Sequence, residues 1–310
     1  MIATLILIIQ LSFIKVPALS SNLNKLNPQA ALQFVSKIRN ATGNTKSLFK
    51  YCPNWYYLTE PARLCHIPYL AAQGELFNTF YKGTVACSGQ LQQRLNMKLL
   101  RNRDDAKGFL DFSDKVPNRT DCTAVTLGIG NDTGAEQQIR NFIPTCKFYG
   151  ADPEEPVGKV YREIGVYDQV AVGDHYGEIN ASVLINNRYQ LKEVALIPFL
   201  DFLKRHDLQD KVIDYFLLDA EGAEFGLLPY MSRGGPLEQA GVVICQLNVE
   251  IHCHLEKYGM THADYNLVIS RFILDSDFMP IWTSKGCHNR YFFINYKNPL
   301  CMERFYKHIC

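Results

Sequence analysis

Three absences bound this chain of 310 residues. It has no excess of charge, because 32 Lys and Arg stand against 31 Asp and Glu. Without a net positive field little can hold a phosphate backbone or an anionic membrane, which argues against nucleic acid as substrate. It has no Cys-x-x-Cys pair, which argues against a structural zinc site built from close thiolate pairs. It also lacks any internal repeat or low-complexity tract. What is present is a composition 47% hydrophobic and 20% charged, the balance of one large core with appendages.

The chain opens on an apolar run, Met1 to Ile14, broken only by Thr4, Gln10 and Ser12 and followed by Lys15 and the small-residue stretch Val16 to Ser20. This reads as a secretory signal peptide over residues 1–20, although its start carries no Lys or Arg. The run falls short of the roughly 20 apolar residues a helix needs to cross a bilayer, so no stable membrane span is expected after cleavage. An uncleaved anchor and a buried strand are the competing readings. Ten cysteines follow, at 52, 65, 87, 122, 146, 245, 253, 287, 301 and 310. An even count in an oxidising compartment implies disulfides, whose connectivity sequence does not give. Glycosylation sequons at Asn40, Asn118, Asn131 and Asn180 fit a secreted or lumenal protein and are weak corroboration.

Residues 21–119 read as a partly helical, cysteine-containing extension. Helical spacing appears over 27–40, with aromatic, loop-rich sequence to about 115. The main domain is expected over 120–300, with a cysteine-containing tail at 301–310. Strands are expected over 122–128, 146–152, a stretch within 164–172, 212–219, 241–252, 278–284 and 290–296. Apolar positions three or four apart mark helices over 134–143, 196–206 and 262–276. Such alternation specifies an α/β fold, a mostly parallel Rossmann-like sheet with helices on both faces. The last two strands, joined by a turn at Lys285 to His288, form an antiparallel C-terminal hairpin at a sheet edge.

A candidate cofactor loop lies at Ala124 to Ala135, where Gly128, Gly130 and Gly134 stand between a strand and a helix, with Asn131 inside the loop. Glycines let a backbone approach a ligand and tolerate positive φ. Asp152, at the end of the next strand, lies 24 residues beyond Gly128, near the spacing at which an acid meets ribose hydroxyls in βαβ units. The pair points to an adenosine-containing ligand, with an ordinary αβ turn as the plain alternative. Thr133 at the third glycine position departs from the dinucleotide pattern, which weighs against nicotinamide or flavin.

The stretch Ile213 to Leu228, IDYFLLDAEGAEFGLL, carries Asp-x-Glu-Gly-x-Glu at Asp219, Glu221, Gly222 and Glu224 between a strand and a helix. With QLNVEIH at Gln246 to His252, it resembles the FkbM methyltransferase family. The resemblance covers residues 120–300 and implies the usual methyltransferase sheet, S-adenosylmethionine as cofactor, and methyl transfer as the reaction. The chain departs from the pattern where an acid usually precedes the first glycine, having Thr126-Leu127. It departs again two residues before the motif aspartate, where a lysine is usual and Leu217 stands.

Ligands of open α/β sheets bind outside the carboxyl ends of the strands, where Asp152, Asp219, Glu221, Glu250 and His252 all fall. Asp219 or His252 is the expected base that takes the acceptor's proton, with Glu221 and Glu250 positioning the acceptor. Helix capping is the plain alternative for Asp219 and Glu221. Strand alternation places Glu250, His252 and His254 on one face, a possible donor set for a divalent metal, but histidines at strand ends are commonly solvated and no metal is assigned. The expected acceptor is a small molecule, glycan or lipid bearing a hydroxyl or carboxyl group. A non-catalytic secreted or lumenal binding protein on the same fold is the competing function, and a nicotinamide oxidoreductase a weaker one, lacking a Tyr-x-x-x-Lys pair. The sequence specifies no oligomeric state.

Overall fold

The computed structural model describes residues 52–71, 76–113, 121–130, 132–185 and 188–310, without the side chains of residue 71 and of residues 179–192. The signal peptide, the helix expected over 27–40, Asn40, Asn118, Asn131 and the Asn180 side chain lie outside the described residues.

Among the described residues, helices α1 (Pro53–Ala71), α2 (Leu76–Cys87) and α3 (Gly89–Arg94) come first. The stretch expected to be loop-rich is thus largely helical. Its buried aromatics, Trp55 and Phe80, are few and far apart, and Tyr57 is exposed, which leaves little periodic stripe to mark the helices in sequence. Trp55, fully buried, stacks on Tyr306 at 4.6 Å and donates to the Tyr296 carbonyl at 2.8 Å. A short antiparallel hairpin of β1 (Lys98–Arg101) and β2 (Ala106–Phe109) follows.

The main body runs β3 (Thr123–Leu127), α4 (Gly134–Phe142), β4 (Lys147–Ala151), α5 (Glu155–Tyr161), β5 (Val166–Asp168), β6 (Ala171–Gly173), β7 (Gly177–Ile185), β8 (Arg188–Pro198) and α6 (Phe199–Arg205). It continues through β9 (Val212–Leu218), α7 (Glu224–Tyr230), α8 (Pro236–Gln239), β10 (Val243–Ile251), α9 (His262–Asp275), β11 (Phe278–Lys285), β12 (Asn289–Asn295) and α10 (Pro299–Cys301). Seven strands form one sheet in the order β11-β12-β10-β9-β3-β4-β5. The five from β10 to β5 are parallel, and β12 and β11 close one edge as the expected antiparallel hairpin. Strands β9 and β10 are buried nearly throughout, as parallel strands covered on both faces must be.

Two stretches differ from expectation. Residues 164–172 split between β5 in the main sheet and β6 in a separate three-stranded sheet, β6-β8-β7, which the sequence reading did not foresee. The helix expected over 196–206 starts only at Phe199, because 196–198 finish β8 and Pro198 is the extended residue before the first helical turn.

The uncovered edge strand β11 is where α2 and α3 dock. Ser88 Oγ donates to the Pro280 carbonyl at 2.8 Å and Gln92 Nε2 to the Ile281 carbonyl at 2.6 Å, which satisfies edge groups that would otherwise invite another strand. All ten cysteines are paired: Cys52 with Cys310, Cys65 with Cys87, Cys122 with Cys146, Cys245 with Cys301, and Cys253 with Cys287. Among the described residues no helix is long and apolar enough to cross a membrane.

Candidate active site

The glycine loop leaves β3, the middle one of the five parallel strands. Gly128 (φ +75°) and Gly130 (φ +58°) adopt the left-handed backbone that favours glycine. Gly128 needs it doubly, since a Cβ there would lie 1.8 Å from the Asp219 carbonyl oxygen. At Gly130 a Cβ would meet nothing within 4 Å, so the loop borders open space. Gly134 begins α4, close to the Arg101 carbonyl. Asn131 lies outside the described residues.

Asp152 follows directly on β4, beneath this loop. Its Oδ2 accepts from the amides of Ile129 at 2.8 Å and Gly130 at 3.1 Å, and its Oδ1 from Glu154 at 2.9 Å. Burial pushes the carboxyl's pKa up, and these three amides oppose the shift. A carboxylate has about four lone-pair sites, so one remains beyond the three used. Where Thr126 stands instead of an acid, Glu136 of α4 supplies a buried carboxylate, accepting from the Thr126 hydroxyl at 2.9 Å. Desolvation raises the Glu136 pKa.

The acid motif leaves β9 next to the loop. Asp219 N–H donates to the Leu127 carbonyl at 2.8 Å. Glu221 (φ +45°) and Gly222 (φ +105°) then turn the chain sharply before α7, and a Cβ at Gly222 would strike the Tyr258 ring at 2.3 Å. A non-glycine residue held left-handed at this point is local strain of the kind that concentrates at functional sites. Neither Asp219 nor Glu221 caps α7: its N-cap is Ala223 and no side chain caps it. Glu224, fully buried, accepts from the amides of Gly222 at 2.8 Å and His252 at 3.0 Å and pairs with His252 Nδ1 at 2.9 Å.

His252 is the hub of the cluster. Its Nε2 stands 3.7 Å from Asp219 Oδ1 and 3.7 Å from Glu221 Oε1, ion-pair rather than hydrogen-bond distances. Burial works against its charge, but the carboxylates of Glu221, Glu224 and Asp219 outweigh burial and raise its pKa to about 11. His252 therefore rests as an imidazolium at neutral pH. Contact with His252 in turn lowers the pKa of Glu221.

Strand β10 turns an unusual row toward one face: Gln246, Asn248 and Glu250, all buried, alternate along it. The Gln246 amide exchanges hydrogen bonds with the backbone of Leu110, at 2.8 and 3.0 Å. The Asn248 amide does the same with Gly108, at 2.6 and 2.9 Å. These side chains thus pair with β2 as a neighbouring strand would. Glu250 faces Arg290, whose Nη2 donates to Oε1 at 3.0 Å and whose Nε lies 2.7 Å from Oε2. Desolvation and the Asp219 charge push the Glu250 pKa up, and Arg290 and Lys107 pull against them.

Asp219, Glu221, Glu250 and His252, singled out from sequence, are brought into one cluster, and Gly128, Gly130 and Asp152 adjoin it. His254 is not part of it. The strand ends at Ile251, so alternation fails there; His254 adopts a left-handed backbone and turns out to Glu256 at 3.5 Å. His288, from the β11–β12 turn, stands there instead, its ring centroid 4.6 Å from that of His252. Sequence reasoning also missed Lys107, Asp105 and Arg290. The polar row 246, 248, 250 in an otherwise apolar strand was the one signal that something polar must pack on that face.

A sheet in this order, with a glycine loop after the middle parallel strand and carboxylates at the ends of the neighbouring strands, defines the Rossmann-like methyltransferase class. The chain matches the methyltransferase FkbM domain over residues 97–275, more than half its length, and belongs to that family. The match takes in the β1–β2 hairpin. Among curated proteins none matches the chain.

Proposed function

We propose that this chain is an S-adenosylmethionine-dependent O-methyltransferase acting in the secretory pathway on a hydroxyl or carboxyl group of a glycan, lipid or small metabolite. One observation carries the reading: the glycine loop and the Asp219 motif are in backbone contact, so a cofactor on the loop would lie beside the carboxylate cluster.

The residues fit the cofactor. Gly130 borders open space, and Asp152 retains an acceptor site for a ribose hydroxyl beside the loop amides. When bound, S-adenosylmethionine supplies an electrophilic methyl on a sulfonium. The chain's part is to hold an acceptor oxygen in line with that methyl, where positioning supplies much of the rate, and to take the hydroxyl proton. Asp219 takes that proton. His252 is already protonated and serves by fixing Asp219 and Glu221 from behind. Glu221, half exposed at the mouth, accepts hydrogen bonds from the acceptor. Glu250 lies deeper and holds Arg290.

The compartment is supported by the apolar start and by the pairing of all ten cysteines, since disulfides persist in oxidising environments. Calorimetry of the purified protein with S-adenosylhomocysteine and, separately, with NAD tests the reading. Saturable binding of the first alone is expected. Binding of neither would favour a non-catalytic role for the fold, and binding of NAD alone an oxidoreductase.

A further inference from the structure

Asp105, Asp219 and Glu250 come from three separate elements: the β1–β2 turn and the ends of β9 and β10. Each offers one oxygen within 4.8 Å of the other two. Three carboxylates so gathered form the kind of oxygen donor set that suits a hard divalent cation. In this fold an ammonium already stands among them. Lys107, 7% exposed, has its Nζ on Asp105 Oδ2 at 2.5 Å and 3.6 Å from Asp219 Oδ2, and the Glu250 charge also acts on it. Arg290 joins from β12, 3.5 Å from Asp105 Oδ2. The other oxygen of Asp105 is buried with no hydrogen-bond partner among the described residues.

The position of Lys107 is built, not incidental. Its neighbour Gly108 is locked to Asn248 by the paired amide bonds, and a Cβ at Gly108 would lie 2.2 Å from the Phe292 ring. The β2 backbone therefore lies against the sheet at a distance only glycine allows, which delivers the preceding residue's ammonium to the strand ends. An unpaired ammonium at such a place would be strongly disfavoured, and carboxylates left without it would repel one another. The alternative donor sets nearby are committed elsewhere. Cys253 and Cys287 are disulfide-bonded, His288 Nδ1 accepts from the Cys253 amide at 3.2 Å, and His252 Nδ1 is held by Glu224.

We propose that Lys107 is a positioning residue whose ammonium takes the place of a divalent cation in the Asp105–Asp219–Glu250 triad and so sets the separation and aim of Asp219 toward the acceptor. The significance for catalysis rests on the reading of Asp219 as proton acceptor; the occupancy of the triad does not. An ammonium offers three directed donors and one charge, and it does not polarise an acceptor oxygen as a Lewis acid does, which leaves proton removal to the carboxylate.

The test uses the full disulfide-bonded chain and Mn2+ as probe, in wild type, Lys107→Arg, Lys107→Ala and Lys107→Gln. Melting temperature is followed against MnCl2 with a matched NaCl series, and bound Mn2+ is counted by electron paramagnetic resonance. Wild type and Lys107→Arg are expected to show no specific Mn2+ response. Lys107→Ala should melt lower and recover at least about 4 °C at Mn2+ near a hundredfold its Kd, with one ion bound. Lys107→Gln, which retains a polar side chain, carries the same comparison if the alanine variant does not fold. Equal Mn2+ binding by wild type and variant would overturn the proposal. So would folded variants that bind no ion, or failure of both to fold with Mn2+ present during refolding. None of these outcomes depends on S-adenosylhomocysteine binding, which tests the methyltransferase reading separately.

Discussion

Gly128 and Asp219 meet backbone to backbone: the space a Cβ would need at Gly128 is filled by the Asp219 carbonyl, and the Asp219 amide bonds to Leu127 just before it. The glycine loop and the acid motif are thus a single structural unit. Gly128→Ala must distort both, because its φ of +75° also disfavours a side chain. The variant should lose at least about 1 to 3 kcal/mol of stability and most of its S-adenosylhomocysteine affinity. Denaturant unfolding and calorimetry on the same preparation check both.

Asp152 braces the loop through three amides, so Asp152→Ala removes more than a ribose contact. S-adenosylhomocysteine affinity should fall at least about tenfold, and the melting temperature should drop as the amides of Ile129 and Gly130 lose their acceptor. An unchanged dissociation constant would place the adenosine elsewhere.

Asp219→Asn keeps the shape and removes the charge. Since Asp219 does not cap α7, stability owes nothing to it as a cap. Turnover should fall roughly a hundredfold or more with cofactor affinity nearly unchanged, once an acceptor has been found by screening glycans and lipids with labelled cofactor. Full activity in this variant would remove Asp219 from the chemistry.

His252 gives the fold a pH dependence of defined sign. Its pKa is raised in the folded chain from 6.5 to about 11, so the imidazolium's contribution is fully present below pH 6.5 and is lost as pH rises through about 11. The stability advantage of wild type over His252→Gln should therefore shrink as pH is raised above neutrality, as read by urea unfolding at each pH. An advantage that grew with pH would mean that the buried ring is neutral.

The disulfide Cys245–Cys301 ties the middle of β10 to the C-terminal segment across 56 residues. Replacing both cysteines with alanine should cost about 2 to 5 kcal/mol, mainly by freeing the unfolded chain. S-adenosylhomocysteine affinity should survive, since the register places Cys245 level with the start of β3, at the other end of that strand from the loop. A large loss of affinity would show that this bridge also shapes the site.

The acids of the candidate site were legible because each lies at or just beyond the carboxyl end of a strand that is plain in sequence. Asp152 was found from its spacing to the glycine loop, and Asp219 and Glu250 from the motifs that resemble the FkbM family. Lys107 was not, because it sits in a four-residue strand with no periodicity to mark it, and although Asp105 is near in sequence, its other partner Asp219 lies more than a hundred residues on. Arg290 was missed for a similar reason, since nothing local ties it to Glu250. The helices over 53–94 escaped notice because their side chains pack on partners at the far end of the chain, as Trp55 does on Tyr306.

By itself the sequence determined the alternation of strands and helices, the glycine turn, the acid motif and the number of cysteines, because each depends on residues close together along the chain. Only the tertiary structure decided which cysteines pair, that His288 and not His254 stands beside His252, and that β2 lies against the sheet on the amides of Gln246 and Asn248. It also decided the charge state of His252, for a pKa is set by the carboxylates that surround a ring in space, and three of these converge on it from α7 and the turn before it.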